Sequence, residues 1–348
     1  MDNRKRNQTA AYVRLLLRIP KKLGDPMRVC VLSDENIEDF DPAPYLKDYD
    51  WKMVTLTAPV AEKIRALAES GDFDVFLNVC EGYEFEDEED EELGYEASEV
   101  VAALEALNLP FTGADSRCFD PTREEMQSVA DANGVGFAKG YRVHSVEEAE
   151  QLAKNLRFPI MIKHPKSYGS TGMFKDSRAD TLEQVLTQVK RICSEFGAAR
   201  MEEFIVGKEF NVLVVDNPDD IENPFVYPPA ELIFPEGEEF WHTDIKWDYN
   251  IPFDFKEVTD PELKAKLQNE GRRMFQTMGI SGYGRCDVRM NEKGELFILE
   301  INPNPAIMLS PKEYGPADYM ILYDKDGYKG FFDRIFKSAF RRQKMRSA

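Results

Sequence analysis

The chain is poor in the residue types that carry nucleophilic catalysis. Its 348 residues include three histidines, His144, His164 and His242. None of them lies in the sequence near a serine or cysteine nucleophile with an orienting acid, so a hydrolase triad has no support. We therefore interpret all three histidines as structural.

Cysteine is also scarce, and its placement is irregular. The cysteines are odd in number and show no CxxC spacing. This pattern argues against a disulfide framework and a zinc site, and it predicts reduced thiols in a cytoplasmic protein. The five are Cys30, Cys80, Cys118, Cys193 and Cys286.

Long apolar runs are missing. No stretch of eighteen or more apolar residues occurs, so no membrane span is predicted. Residues 1–27 are basic but lack the apolar core and cleavage site of a secretory signal, and we interpret them as a peripheral extension. Near the other end, Phe332, Ile335, Phe336 and Phe340 recur at helical spacing. That spacing favours packing on the body of the protein or on a dimer partner over membrane contact.

Positive charge is in deficit. The formal net charge of −20 argues against general binding to nucleic acid, and a polyanionic substrate would need a local basic cluster. Eight of the nine residues 84–92 are acidic. We interpret this run as a solvated loop, with docking or a lid as the alternative.

Two glycine-rich nucleotide motifs are absent as well. Neither the dinucleotide fingerprint nor a Walker A sequence occurs at a strand-to-helix turn, which argues against a Rossmann dehydrogenase and a P-loop enzyme. What the first part of the chain does contain is an α/β pattern. Short apolar strands at 28–32 and 75–78 alternate with helices at 60–69 and 97–107, which predicts a parallel sheet.

The length predicts further domains after this unit. We place the boundaries at residues 1–27, 28–111, 112–205 and 206–348. The central unit is predicted to contain helices at 122–133 and 146–155 and strands at 140–143 and 160–163. The C-terminal unit is predicted to contain a strand at 210–215, a long polar excursion to residue 251, a helix at 261–278 and a β-hairpin.

The hairpin covers residues 285–302. Two apolar runs flank the polar segment Asn291-Glu-Lys-Gly294, which predicts a reversal of about four residues. Because side chains alternate along a strand, Arg285 and Asp287 share one face, and pairing Asp287 with Glu300 places Arg285 opposite Asn302.

These four side chains suit Mg-ATP chemistry. Carboxylate and amide oxygens are ligands that magnesium prefers, together with water and substrate phosphates. Glu300 ends an otherwise apolar strand, so we expect it to be partly buried and to have a partner. The alternative is a surface hairpin with ordinary charges.

A second candidate nucleotide contact is the loop Pro165-Lys-Ser-Tyr-Gly-Ser-Thr-Gly172. Small residues there could bring backbone N–H groups against phosphate oxygens. Lys163, at the end of the preceding strand, could pair with the same phosphates.

Taken together, the order and spacing of these motifs resemble the ATP-grasp superfamily, and within it the D-alanine–D-alanine ligases and their relatives. The resemblance runs from about Arg28 to about Tyr323. It implies an α/β protein, α+β in its ATP-grasp part, in which a three-domain fold holds ATP between the central and C-terminal domains. It implies ligation of a carboxylate to an amine through an acyl phosphate. It also implies a homodimer.

The resemblance assigns roles to individual residues. Two Mg²⁺ ions, with Mn²⁺ as a possible substitute, would be held by Asp287, Glu300 and Asn302, while Arg285, Lys246 and Ser170 would serve catalysis. ATP would be bound by Arg123, Lys163, Gly169, Ser170, Glu202, Glu203, Phe204, Ile205, Glu209 and Lys246. The amino-acid substrates would meet Glu35, Glu81, Trp247, Arg285, Ala306 and Ser310.

Several positions depart from the pattern of that family. Arg123 stands where a phosphate-binding lysine is usual, Trp247 replaces a tyrosine, and Ala306 replaces a glycine. Most departures lie on the amino-acid side, which leaves the substrates open. The alternatives are a ligase of a secondary pathway that uses a different carboxylate, and a nucleotide-binding regulator without turnover.

Overall fold

The structure is a computed structural model that describes residues 26–34, 40–82, 94–166, 170–246 and 254–347. The predictions for the basic extension up to residue 25 and for the acidic run 84–92 lie outside these residues. So do the predicted roles of Glu35, Gly169 and Trp247.

The first unit is built on a three-stranded sheet of β1 (Arg28–Ser33), β2 (Asp50–Thr55) and β3 (Val75–Asn78), in the order β2-β1-β3. All pairings are parallel, as predicted. Helices α1 (Val60–Ser70) and α2 (Ala97–Ala106) lie close to their predicted bounds. The sequence pattern missed β2, because this edge strand is mostly exposed and has no apolar run to mark it.

The elements of the central unit are α3 (Arg123–Asn133), β4 (Gly140–Val143), α4 (Val146–Ala153), β5 (Ile160–Lys163), β6 (Arg178–Ala179), α5 (Leu182–Phe196) and β7 (Ala199–Glu203). The four strands form an antiparallel sheet in the order β4-β7-β5-β6. The predicted strands at 140–143 and 160–163 are confirmed, and the sequence analysis did not identify α5 and β6.

The elements of the C-terminal unit are β8 (Gly207–Val215), β9 (Phe225–Val226), β10 (Ala230–Ile233), α6 (Thr243–Lys246), β11 (Asp254–Glu257), α7 (Pro261–Thr277), β12 (Tyr283–Asn291) and β13 (Leu296–Pro303). The strands form a six-stranded antiparallel sheet in the order β11-β10-β8-β12-β13, with β9 paired to β8. The expected polar excursion to residue 251 was wrong in part, because it includes the strands β9 and β10. These strands are two and four residues long, too short for a clear alternation of side chains.

Helices α8 (Pro316–Tyr323) and α9 (Gly327–Arg346) complete the chain. Phe332 and Phe336 of α9 are buried and stack at 5.5 Å in a core shared by the first sheet and the six-stranded sheet. The predicted packing of this segment on the body of the protein is confirmed. Each such ring stabilises the fold by about 1.5–3 kcal/mol on burial, so α9 holds the first unit against the sheet that carries the hairpin.

Within the described residues, no helix is long and apolar enough to cross a membrane. The five cysteines are all free, as predicted. The domain boundaries remain predictions.

Candidate functional site

The hairpin of β12 and β13 has the predicted register. Arg285 lies opposite Asn302, and Asp287 lies opposite Glu300. Four residues, 292–295, separate the two strands, which confirms the expected loop length. An irregularity directly after Asp287 shifts the register, so that the apolar part of the hairpin is paired one residue out of step with the polar end. Bulges of this kind often lie beside functional sites, where they re-aim a side chain.

Asp287 is the centre of the polar cluster. Its carboxylate accepts hydrogen bonds from Arg285 Nε (2.7 Å) and Nη2 (3.0 Å) and from Asn302 Nδ2 (3.1 Å). A fourth bond comes from Asn211 Nδ2 (2.7 Å), which lies opposite Asp287 on the neighbouring strand β8. Sequence reasoning missed Asn211. The available signal was an amide within the apolar run Phe210-Asn-Val-Leu-Val-Val215.

Glu300 is paired across the site with Arg123. Arg123 Nη2 lies 2.5 Å from Glu300 Oε2, and the glutamate side chain keeps 21% of its exposure, which confirms the expected partial burial and partner. Arg123 is the first residue of α3. Thr122 and Glu125 form a reciprocal capping box there that fixes where the helix begins. The central and C-terminal units therefore meet at this ion pair.

The oxygens of this cluster fit a hard divalent cation. Two carboxylates, of Asp287 and Glu300, lie side by side, and the amide of Asn302 donates through nitrogen, which leaves its oxygen as an acceptor. The buried oxygen Asn211 Oδ1 meets no donor among the described residues. A buried acceptor of this kind costs about 1–3 kcal/mol when unpaired. No group of three or more His, Cys, Asp and Glu side chains that could hold a metal exists in the described part of the chain, so amide oxygens would have to complete the set.

The predicted phosphate ligand Lys163 lies in a buried chain of charges on the central sheet. Its Nζ is 2.5 Å from Glu202 Oε1, and Arg200 Nε is 2.8 Å from Glu202 Oε2. Burial alone would raise the pKa of Glu202, but Lys163 and Arg200 outweigh it and lower the pKa to about 2. Arg200 also pairs with Glu124 of α3 at 2.9 Å. Arg200 has no exposed side-chain surface and was missed by the sequence reading, although it alternates with Glu202 on β7.

Glu209, the predicted ribose ligand, lies beside Arg289. The two residues are opposite each other on β8 and β12, with Arg289 Nη1 3.8 Å from Glu209 Oε2. Burial raises the pKa of Glu209 to about 7, against the attraction of Arg289. The guanidinium of Arg289 lies 4.4 Å from the centre of the Phe204 ring. Sequence reasoning missed Arg289, which shares the β12 face of Arg285 and Asp287.

The predicted adenine-binding segment, Glu202–Ile205, covers the last two residues of β7 and the two that follow. The backbone N–H of Phe204 donates to the carbonyl of Pro159 (2.9 Å), and its ring packs edge-on against Phe240 at 5.7 Å. Ile205 is buried. The carboxylate of Glu203 accepts hydrogen bonds from the backbone and guanidinium of Arg157. The nucleotide roles of these residues remain predictions.

Ser170 and Lys246 are connected through Thr243. Ser170 has a left-handed backbone (φ 65°), and its carbonyl accepts a hydrogen bond from Thr243 Oγ1 (2.9 Å). Thr243 begins α6, the short helix that ends at Lys246. Burial lowers the pKa of Lys246, and Arg285 lowers it further. The small-residue loop and the predicted phosphate lysine are thus held together.

Glu81 faces this cluster from the first unit. Its backbone N–H donates to Asp34 Oδ2 (2.6 Å), which joins the ends of β3 and β1. Its desolvated position and the Asp34 carboxylate raise the pKa of Glu81, and Arg285 and Lys246 oppose them. Asp34 also accepts a hydrogen bond from Tyr95 and was not identified from the sequence. Of the other predicted substrate contacts, Ala306 is exposed and Ser310 half-buried in the segment after β13.

Known proteins are similar to this chain in sequence. A family model described as D-ala D-ala ligase C-terminus matches residues 129–310. A D-alanine--D-alanine ligase of Acinetobacter baumannii strain ATCC 17978 is 25% identical over 218 residues, which are 62% of this chain and 67% of that protein. A D-alanine--D-alanine ligase of Marinomonas sp. strain MWYL1 is 23% identical over 242 residues, 66% of this chain and 72% of that protein.

Solved structures resemble the whole molecule. The D-alanine-D-alanine ligase of Coxiella burnetii has a TM-score of 0.66 at 15% identity, covering 93% of this chain and 97% of its own. The VanG D-Ala:D-Ser ligase of Enterococcus faecalis has a TM-score of 0.63 at 16% identity, covering 90% and 100%. A Bacillus anthracis D-alanine--D-alanine ligase complexed with ATP has a TM-score of 0.62 at 16% identity, covering 92% and 99%. These likenesses establish the predicted ATP-grasp fold.

Proposed function

Because the chain belongs to the D-Ala–D-Ala ligase C-terminal family, we propose that it is an ATP- and Mg²⁺-dependent carboxylate–amine ligase that forms a peptide bond between small amino acids. The observation that carries this proposal is the register of the hairpin, which brings Arg285, Asp287, Glu300 and Asn302 together. The two carboxylates and the amide supply oxygen ligands for a cation that also binds the phosphates of ATP. The guanidinium supplies hydrogen-bond donors for negative charge that develops during the reaction.

ATP is proposed to lie between the central and C-terminal sheets. Lys163 and Arg123 approach from the central side, and Lys246 from the C-terminal side, as the local basic cluster that an acidic protein needs for a polyanion. Glu209 is proposed to hold the ribose hydroxyls. The segment Glu202–Ile205 is proposed to contact the base. The pairing of Lys163 with Glu202 and of Arg123 with Glu300 holds these side chains in place.

Asp287, Glu300 and Asn302 are proposed to hold Mg²⁺, with Asn211 as an additional oxygen donor. When bound, the cation neutralises phosphate charge during phosphoryl transfer. In the structure, the carboxylate of Asp287 accepts a hydrogen bond from Arg285, and that of Glu300 accepts one from Arg123. Both guanidinium groups are therefore held within reach of the negative charge that substrate phosphates bring.

In the proposed reaction a carboxylate oxygen of one substrate attacks the terminal phosphorus of ATP, the P–O bond to ADP breaks, and ADP leaves with the electron pair. The amine of the other substrate then adds to the acyl carbon and forms a tetrahedral intermediate. This intermediate collapses as the C–O bond to phosphate breaks, phosphate leaves with the electron pair, and the nitrogen loses a proton to phosphate or water. Arg285 is proposed to stabilise the acyl phosphate and the tetrahedral intermediate. Loss of such a donor typically costs about 3–4 kcal/mol of barrier stabilisation. Glu81, Ala306 and Ser310 are proposed to contact the amino acids.

The proposal includes a homodimer, as the family resemblance implies, and a cytoplasmic location, as the unpaired cysteines indicate. It is tested by release of ADP and phosphate from Mg-ATP with D- and L-amino acids, singly and in pairs, with products identified by mass. Turnover that requires D-alanine and yields its dipeptide supports the proposal with the named substrate. Turnover with a different pair keeps the ligase and changes the substrate, whereas ATP binding without turnover on any pair contradicts the proposal.

A further inference from the structure

The segment after β13 has two residues in the left-handed backbone region, Asn304 (φ 53°) and Met308 (φ 61°). Asparagine adopts this conformation readily, but for the larger side chain of Met308 it is strained. Among residues 304–308, Ala306 is exposed and the other four are buried. Strain of this kind persists where the surroundings hold it, and it is concentrated at functional sites.

A buried carboxylate and a phenol hold Met308. Its backbone N–H donates both to Asp318 Oδ1 (2.8 Å) and to Tyr328 Oη (2.8 Å), and the Tyr328 hydroxyl in turn donates to Asp318 Oδ1. Asp318 Oδ2 accepts the N–H of Gly315 (2.9 Å), at the start of α8. One oxygen of Asp318 therefore caps a helix, and the other fixes the segment.

The first unit holds the same segment from the other side. The carbonyl of Met308 accepts the N–H of Asp41 (3.1 Å), and the carbonyl of Leu309 accepts the Tyr45 hydroxyl (2.6 Å). Residues 308 and 309 are thus tied to helices α8 and α9 and to the first unit at once. These restraints leave little freedom to Ala306, which lies four residues after the proposed metal ligand Asn302.

Asp318 is fully buried, and the groups that donate to its carboxylate are backbone N–H groups and a hydroxyl. Burying a carboxylate without an opposite charge is costly, and capping α8 would need only one of its two oxygens. We infer from this arrangement that the backbone path of residues 304–310 has a role in addition to stabilising the fold.

We propose that Asp318 is a positioning residue for amide-bond formation, which with Tyr328 holds Met308 in its left-handed conformation and so sets the backbone at Ala306 against the reacting acyl group. This inference rests on the proposed function. It adds a buried carboxylate and a phenol, both outside the hairpin, to the residues on which the reaction depends.

The test compares Tyr328→Phe with Tyr323→Phe. Tyr323 lies on α8 and donates its hydroxyl to the Phe255 carbonyl (2.7 Å). Each variant therefore removes one hydroxyl group from a tyrosine, with two hydrogen bonds lost in Y328F and one in Y323F, but Y323F leaves Met308 untouched. We expect Y328F to lower kcat about tenfold, the effect of a loss of about 1.4 kcal/mol, with KM for ATP unchanged. Y323F should keep the kcat of the wild type. Equal kcat in Y328F and the wild type, or an equal loss in Y323F, would overturn the proposal.

Amide hydrogen exchange of the peptide spanning residues 304–310 gives a second readout that needs no activity. We expect faster exchange of this peptide in Y328F than in Y323F, with other peptides unchanged. Unchanged exchange of this peptide in Y328F would show that Tyr328 does not restrain the segment, and it would overturn the proposal. If the wild type makes no amide product, the proposed function fails together with the positioning role, while the exchange data still report whether Tyr328 restrains the segment. Asp318→Asn should show the same changes as Y328F, and larger ones.

Discussion

Arg123 and Glu300 form an ion pair of 2.5 Å although they are separated by 177 residues in the sequence. The pair joins the first turn of α3 to β13, and so it joins the proposed phosphate-binding side of the site to its proposed metal ligands. Neither residue has its proposed function without the other element in place.

Glu300→Gln should abolish ligase turnover and leave nucleotide binding measurable. The amide keeps the size of the side chain but removes the negative charge that the metal needs. The measurements are ADP release under saturating substrates and nucleotide binding by calorimetry. Glu292→Gln, in the exposed loop of the same hairpin, is the control and should behave as the wild type. Full activity in E300Q would remove Glu300 from the metal site.

Arg200→Met should destabilise the fold by about 3–5 kcal/mol, because it leaves the buried Glu202 with a partner missing. Arg157→Met is the matched control. It removes the partner of the neighbouring Glu203, but the Arg157 side chain is 74% exposed, and exposed pairs contribute about 0–1 kcal/mol. Urea denaturation of both variants provides the comparison. Similar losses in the two variants would show that burial of Arg200 is not what matters.

The raised pKa of Glu209 predicts that the stability of the protein depends on pH. Its pKa in the folded protein, about 7, lies above its ordinary value of 4.5, so the folded state binds the proton more tightly. The contribution of Glu209 to stability is therefore greatest below about pH 4.5 and falls as the pH rises to about 7. Glu209→Gln removes this fall, and the variant should gain stability relative to the wild type between pH 5 and pH 8.

The comparison for this experiment is Glu202→Gln, measured in urea without metal at the same two pH values. The pKa of Glu202 is lowered to about 2, so its stabilising effect is lost only as the pH falls below about 4.5. E202Q should be less stable than the wild type by the same amount at pH 5 and pH 8. A constant difference for E209Q as well would contradict the assigned shift.

Asn211→Ala should raise the Mg²⁺ concentration needed for half-maximal turnover, by about tenfold, since residues that support metal ligands typically contribute 10–100-fold in affinity. The variant removes a hydrogen bond to Asp287 and an oxygen donor. Asn217→Ala, in the turn after β8, is the control. A Mg²⁺ requirement that stays the same in N211A would place Asn211 in a structural role alone.

Most of the hairpin was predictable from the sequence. Alternation on two short strands and a glycine in the turn are local properties, and they predict a hairpin with a loop of about four residues, in which pairing Asp287 with Glu300 brings Arg285 opposite Asn302. They do not predict the irregularity after Asp287, which shifts the apolar pairs by one residue. The strands at 140–143 and 160–163 were predictable for the same reason, since each is a short run between marked turns. β2 was not, because an exposed edge strand has no apolar run, and the short β9 and β10 were absorbed into a polar segment.

The amino-acid sequence by itself determined the local elements, the register at the polar end of the hairpin and the identity of its four polar residues, because these depend on neighbours a few positions away. The tertiary structure decided which distant residues complete the site. Asn211 reaches Asp287 because β8 pairs with β12, Arg200 reaches Glu124 because α3 packs beside β7, and Asp318 reaches Met308 because α8 lies over the segment after β13. Contacts between elements far apart in the chain depend on how sheets and helices pack, and alternation along a single strand carries no record of that packing.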